Sequence, residues 1–309
     1  MLNVLVKISL NDIPVCYSEI IRMQEVQTFM DKDHIGAQKG TKLGEETKLF
    51  LNERTTAANT ISGIRSGFNN IDMHTLGFQP GQLITICSYG FNSRTFMMQL
   101  IYNMAVKNQV PGRLYSFDID YKRFPMEMIR FATKLPLYGL YGGMLKENQL
   151  KEAELACDKL PDTLKVDTLY HYSCFEEICR KIRGDVYNTK EVVFIDSLNA
   201  LDFEESPLNE KDRLLRILRK LKGLAMELQI PIIVNYFAEG SEEDNNLVKE
   251  TNFMQLYSNI HFALYREEQR SDDIIDVYNL EIFNRDLMQH KVREFMFNKE
   301  YDQFEEVIN

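Results

Sequence analysis

The stretch from Leu83 to Met104 constrains the fold of this chain more than any other. It begins with the apolar run Leu83-Ile84-Thr85-Ile86-Cys87 and continues through Ser88-Tyr89-Gly90-Phe91-Asn92-Ser93-Arg94-Thr95. An amphipathic run through Met97, Leu100, Ile101 and Met104 follows. A buried strand, a tight loop and a helix in that order set a helix N-terminus at the C-terminal edge of a sheet. Backbone N–H groups and the positive end of the helix dipole converge at such a point, which suits a phosphate.

The phosphate-loop pattern is G-x-x-x-x-G-K-[ST]. The stretch keeps its frame but departs from its letters. Ser88 stands at the first glycine, Ser93 at the second and Arg94 at the lysine, while Thr95 is retained. The candidate nucleotide-binding residues are therefore Ser88, Gly90, Asn92, Ser93, Arg94 and Thr95. Ser93 adds a side chain where the backbone must approach phosphate closely. Arg94 keeps the charge but presents a bulkier planar fork than an ammonium.

With 309 residues, 44% of them hydrophobic, the chain has room for one large domain or for a domain with an extra arm. Cys16, Cys87, Cys157, Cys174 and Cys179 are odd in number and lack C-x-x-C spacing, so they read as reduced thiols rather than disulfides or a metal site. No apolar run reaches the roughly 20 residues of a membrane span. The N-terminus lacks the pattern of a secretory signal. Together these features predict a cytoplasmic protein with no membrane partner. The net charge of −10 opposes the usual sign of a DNA-binding surface, although a local basic face can still bind DNA.

Residues 1–60 read as an N-terminal arm and linker helix. Val4–Ile8 suggests a short strand, Tyr17–Met30 a weak helix, and Gly36, Gly40 and Gly44 a connector. Glu45–Ala58 is a helix candidate with few large apolar residues, which suits docking on another surface. From residue 61 the pattern is that of a mostly parallel α/β domain. Strands are predicted at Leu83–Cys87, Arg113–Phe117, Leu164–Leu169, Glu191–Asp196 and Ile230–Val234. Pro125 begins a helix, Leu135–Gly143 reads as loop, and Glu147–Leu160 and Cys174–Val186 read as helices. Arg213–Leu228 is strongly amphipathic, with Arg213, Arg216, Arg219, Lys220 and Lys222 on its polar face. Strands at Ile260–Tyr265, Asp276–Phe283 and Lys291–Phe297 are joined by short loops, so the sheet should end in antiparallel members.

With those residues placed, residues 61–304 resemble the RecA-like ATPase domain of replicative DnaB-type hexameric helicases. The lead-in Gly63–Phe68 with Leu76–Gly81, the altered phosphate loop, Tyr115–Asp118, Val192–Leu198, and Leu221–Leu228 with Ile230–Val234 carry the resemblance in order. It implies ATP and Mg²⁺ as ligands, with Thr95 and Asp196 holding the metal. It puts Asp118 at the position of the catalytic Glu, one methylene short, and Arg285 at that of a finger acting on a neighbouring subunit. The family's γ-phosphate-sensing glutamine and trans-acting lysine fall on Phe237 and Phe283, and its glycine-proline turn on Leu287-Met288. The arm 1–60 stands in place of the family's N-terminal helical domain.

Each lost transition-state donor costs on the order of 10²–10³ in rate. The expectation is a DnaB-like protein of DNA replication or mobile-element maintenance, with a degenerate NTP site and a structural or regulatory role. An active, divergent ATP-dependent DNA helicase or translocase is the alternative, and a non-hydrolysing nucleotide sensor a third reading. The implied partners are other copies of the chain or a replicative helicase, reached through Glu45–Ala58, and DNA along the Arg213–Lys222 face.

Overall fold

Nine described strands form one sheet in the order β3-β2-β4-β5-β1-β6-β7-β8-β9. The computed structural model describes residues 61–90, 92–117, 122–172, 174–187, 189–202, 209–240, 247–267 and 274–307, with Gly44, Thr47, Lys48, Leu51 and Asn52 before them. The expectations for Val4–Ile8 and Tyr17–Met30, and most of those for Glu45–Ala58, lie outside the described residues. The chain divides into units 1–59 and 60–309, and the second is described below.

The strands are β1 (Leu83–Tyr89), β2 (Gly112–Ser116), β3 (Leu164–Thr168), β4 (Val192–Asp196), β5 (Ile232–Ala238), β6 (Ile260–Arg266), β7 (Ile275–Asn284), β8 (Gln289–Asn298) and β9 (Gln303–Glu306). β3, β2, β4, β5, β1 and β6 run parallel, and β7, β8 and β9 are added antiparallel. The helices are α1 (Asn69–Thr75), α2 (Asn92–Ile101), α3 (Arg123–Thr133), α4 (Leu137–Gly142), α5 (Glu147–Cys157), α6 (Phe175–Val186), α7 (Glu210–Leu228) and α8 (Leu247–Thr251).

The central strands β1 and β4 are buried along their whole length and mostly apolar, because both of their faces are covered. Ile84 and Ile86 of β1 and Phe194 of β4 pack with Phe96 and Leu100 of α2 and Met128 of α3 on one side. Leu83, Val193 and Ile195 meet Ile178 and Ile182 of α6 and Leu214, Leu218 and Leu221 of α7 on the other. The expected amphipathic α2 is instead buried all round from Phe96 to Ile101. The reason is β9, which closes over it. The Gln99 side chain donates to the Phe304 carbonyl and accepts from the Phe304 N–H, both at 2.7 Å. Phe96, Phe295 and Phe304 pack edge to face there. Beyond Ile101 the helix widens into a π-helical segment, Tyr102–Lys107.

Leu135–Gly143 is not all loop, since it contains the short helix α4. α7 begins three residues before Arg213 because the Asn209 side chain caps it, accepting the Asp212 N–H at 2.9 Å. No described helix is long and apolar enough to cross a membrane.

Candidate functional site

The parallel order places the C-terminal ends of β1, β2, β4 and β5 at one edge of the sheet. Ligand sites of open α/β sheets occupy that edge. The expected loop Ser88–Thr95 is tighter than its sequence suggests. β1 runs on to Tyr89 and α2 begins at Asn92, leaving only Gly90 and Phe91 between them. Gly90 turns the chain with φ +61. The Ser88 hydroxyl then accepts the Ser93 N–H at 2.7 Å, drawing the first turn of α2 onto the strand end. That bond occupies one of the N–H groups a helix N-terminus holds out to a ligand. Ser93 is fully buried, and its hydroxyl lies 3.5 Å from the Tyr236 carbonyl.

Asp196 ends β4 and is completely buried. Its carboxylate accepts from Arg94 Nε, 3.1 Å from Oδ1 and 3.0 Å from Oδ2. Asn235 Nδ2 donates to Oδ1 at 2.9 Å, and Ser116 Oγ to Oδ2 at 3.2 Å. The guanidinium carbon of Arg94 sits 5.1 Å from the centre of the Phe237 ring, a cation–π distance. Phe237 is itself held by Asn199, whose amide donates to the Phe237 carbonyl and accepts its N–H, both at 2.9 Å. Thr95 is half-buried on the same turn of α2.

The structure therefore brings Ser88, Gly90, Asn92, Ser93, Arg94, Thr95 and Asp196 to one edge. Asp118 lies outside the described residues, and so does its expected place beside Asp196. Arg285 follows β7 at the opposite edge, where its N–H bonds to the Asn259 carbonyl and its Nη1 to the Leu256 carbonyl. Phe283 stacks on His290 with ring centres 4.1 Å apart. His261, the β6 partner of Phe283, hydrogen-bonds Thr85 at 2.8 Å, and complete burial lowers its pKa to about 3.

Sequence reasoning missed Ser116, Asn199 and Asn235. Asn235 had a signal: it is a lone amide within the apolar run of β5. Ser116 and Asn199 had none, because the role of Ser116 depends on the register of β2 against β4 and that of Asn199 on the short 3-10 turn Leu198–Ala200 that follows β4.

The polar face of α7 is less open than its composition suggests. Arg213 pairs with Glu210 at 2.6 Å and Lys220 with Glu176 at 2.5 Å. Lys222 donates to the Gly81 carbonyl and to Asn259 Oδ1 at 2.8 and 2.7 Å. Among the described residues, no group of three His, Cys, Asp or Glu side chains is placed to hold a metal.

A parallel sheet with a strand–turn–helix at its ligand edge, a carboxylate ending the β4 strand, and antiparallel strands closing the far side define a RecA-like ATPase core. The family model of the DnaB-like helicase C terminal domain matches residues 63–245, and the chain belongs to that family. The replicative DNA helicase DnaB of Helicobacter pylori (strain ATCC 700392 / 26695) is 24% identical over 215 residues, covering 67% of this chain and 44% of that protein. The replicative DNA helicase DnaC of Bacillus subtilis (strain 168) is 23% identical over 241 residues, covering 74% and 51%. The chain thus spans about half the length of the curated relatives it matches. Among solved structures, the ATPase domain of G40P superposes with a TM-score of 0.76 at 18% identity, covering 88% of this chain and 100% of that one. A DnaB-like replicative helicase whose interactions with primase were described gives 0.71 at 18%, covering 93% and 74%.

Proposed function

We propose that this chain is a DnaB-like protein of DNA replication whose own nucleotide site is shut by an internal ion pair. In this reading it serves as a structural or regulatory subunit, associating with further copies or with a replicative helicase, and not as a motor. The observation that carries the proposal is the Arg94–Asp196 pair. The family implies Mg²⁺ and ATP, with the metal held near Thr95 and Asp196. The arrangement does not fit them: Arg94 Nε donates to Asp196 Oδ1 and lies 3.0 Å from Oδ2, so the guanidinium already occupies the carboxylate, and the Ser93 N–H is spent on Ser88. A guanidinium on a buried carboxylate is a strong charge-assisted contact, and it supplies the positive charge that a metal would otherwise bring.

Thr95 and Asp196 at one edge, with Arg285 at the other, are what an active, divergent helicase would keep, so that remains the competing reading. A calorimetric titration of the full chain with ATP and Mg²⁺ separates the two. The proposal expects no heat of binding at millimolar nucleotide. Saturable binding in the micromolar range would refute the closed site.

A further inference from the structure

We propose that Asn199 is the latch of the shut site, a positioning residue that keeps Phe237 over Arg94 and so keeps Arg94 on Asp196. This rests on the closed site proposed above, and it makes closure a removable contact near the surface and not a collapse of the pocket. Along β5 the backbone groups of odd-numbered residues face β4. The Val193 N–H takes the Pro231 carbonyl on that side, whereas the Ile232 N–H turns the other way, to the Gln82 carbonyl. β4 pairs with β5 as far as Ile195 and Val234 and ends at Asp196, so among the described residues no strand meets Phe237 on that side. The Asn199 side chain takes that place. Its Nδ2 donates to the Phe237 carbonyl and its Oδ1 accepts the Phe237 N–H, both at 2.9 Å. A single amide thus satisfies both backbone groups of Phe237 and fixes where its side chain stands.

The turn that carries Asn199 is itself held. Leu198 and Leu201 are fully buried, while Asn199 and Ala200 between them are exposed. Arg213 of α7 donates through Nη1 to the Leu198 and Leu201 carbonyls. Buried anchors therefore aim the amide at Phe237, yet its two hydrogen bonds lie at the surface. Phe237 in turn stands over Arg94, whose guanidinium carbon is 5.1 Å from the ring centre. An aromatic face attracts a cation more strongly as water is excluded. On its other side Arg94 Nε meets the Asp196 carboxylate at 3.1 and 3.0 Å. Closure is a relay from an exposed amide, through an aromatic ring, to a buried carboxylate.

This arrangement separates two roles for Asn199. A residue that only finished the end of β5 would, when lost, lower stability and leave Arg94 where it is. A latch would, when lost, let the Phe237 ring swing away and raise the fraction of molecules in which Arg94 leaves Asp196. For a contact of this kind that fraction should rise by about tenfold.

The test follows solvent exchange of the Arg94 Nε–H by NMR, in the full chain isotopically labelled at arginine and with the signal assigned through Arg94→Lys. Exchange should be slow in the wild type, and Asn199→Ala should speed it by about tenfold. Phe237→Leu, which keeps the backbone bonds to Asn199 but removes the aromatic face, should speed it similarly. Phe237→Tyr, which keeps that face, should leave it slow. The Nε–H of Arg130, held by Glu127 at 3.2 Å, is the control and should not change in any variant. Equal acceleration at Arg130 would show general loosening and overturn the latch. An unchanged Arg94 rate in Asn199→Ala, with the wild type slow, would overturn the latch and leave the shut site standing. A wild-type Arg94 proton exchanging as fast as that of free arginine would overturn the shut site itself, and the latch with it.

Discussion

Removing Arg94 should cost the fold several kcal/mol. Asp196 is fully buried, and the Arg94 side chain is only 15% exposed. Arg94→Ala leaves a buried carboxylate without its counter-charge, a change that costs about 3–5 kcal/mol in comparable sites. Asn235 and Ser116 still donate to Asp196, which places the expected loss near the lower end, about 3 kcal/mol. In urea unfolding followed by circular dichroism, with a slope of about 3 kcal/mol per molar, the midpoint should fall by about 1 M. Asp196→Asn should cost less, because the freed guanidinium can rotate toward solvent. The double variant should fall short of the sum by about 2 kcal/mol, the signature of a direct pair. If Arg94→Ala lies within about 0.5 kcal/mol of wild type, or if the two changes simply add, the buried-pair reasoning is wrong.

Other outcomes follow from the same geometry. Ser93→Gly with Arg94→Lys frees Asp196 and restores a compact charge, so it should gain ATP binding by calorimetry. It should not gain turnover, because Phe237 and Phe283 are unchanged. His261 is neutral in the fold with its pKa lowered to about 3 from 6.5, so the unfolded chain binds the proton first as pH falls. Stability should therefore drop by about 1.4 kcal/mol per pH unit below 6.5 and level off near 3, and His261→Gln should flatten that slope in pH-dependent melts. Gly63→Ala would put a Cβ 2.6 Å from the Gly77 backbone carbon and 2.7 Å from the Phe78 carbonyl oxygen. It should lower the midpoint of thermal unfolding by several degrees, while Gly184→Ala should raise it slightly.

The parallel core was legible because strands covered on both faces are continuously apolar: β1, β4 and β5 declare themselves by composition alone. α7 was equally plain from its single apolar stripe. β9 was not, since Gln303-Phe304-Glu305-Glu306 carries one apolar residue and is a strand only because Phe304 fits the aromatic cluster over α2. The same closure hid the burial of α2, whose polar Gln99 reads as solvent-facing until β9 satisfies it. At the candidate site, the segments that meet at the sheet edge were legible, but Ser116, Asn199 and Asn235 and the pairing of Arg94 with Asp196 were not. Arg94 and Asp196 are 102 positions apart, and nothing in either segment says that the guanidinium turns onto the carboxylate instead of outward. The loop length misled for a similar reason, because β1 runs on to Tyr89 and the Ser88–Ser93 bond holds the first turn of α2 against the strand end.

The closed site is tested most directly by phosphate release from ATP and Mg²⁺ with the purified wild-type chain, measured with and without single-stranded DNA. The Arg94–Asp196 pair predicts a rate at background in both conditions. A DNA-stimulated rate well above background, lost on Asp196→Asn, would contradict it and establish the chain as a working motor.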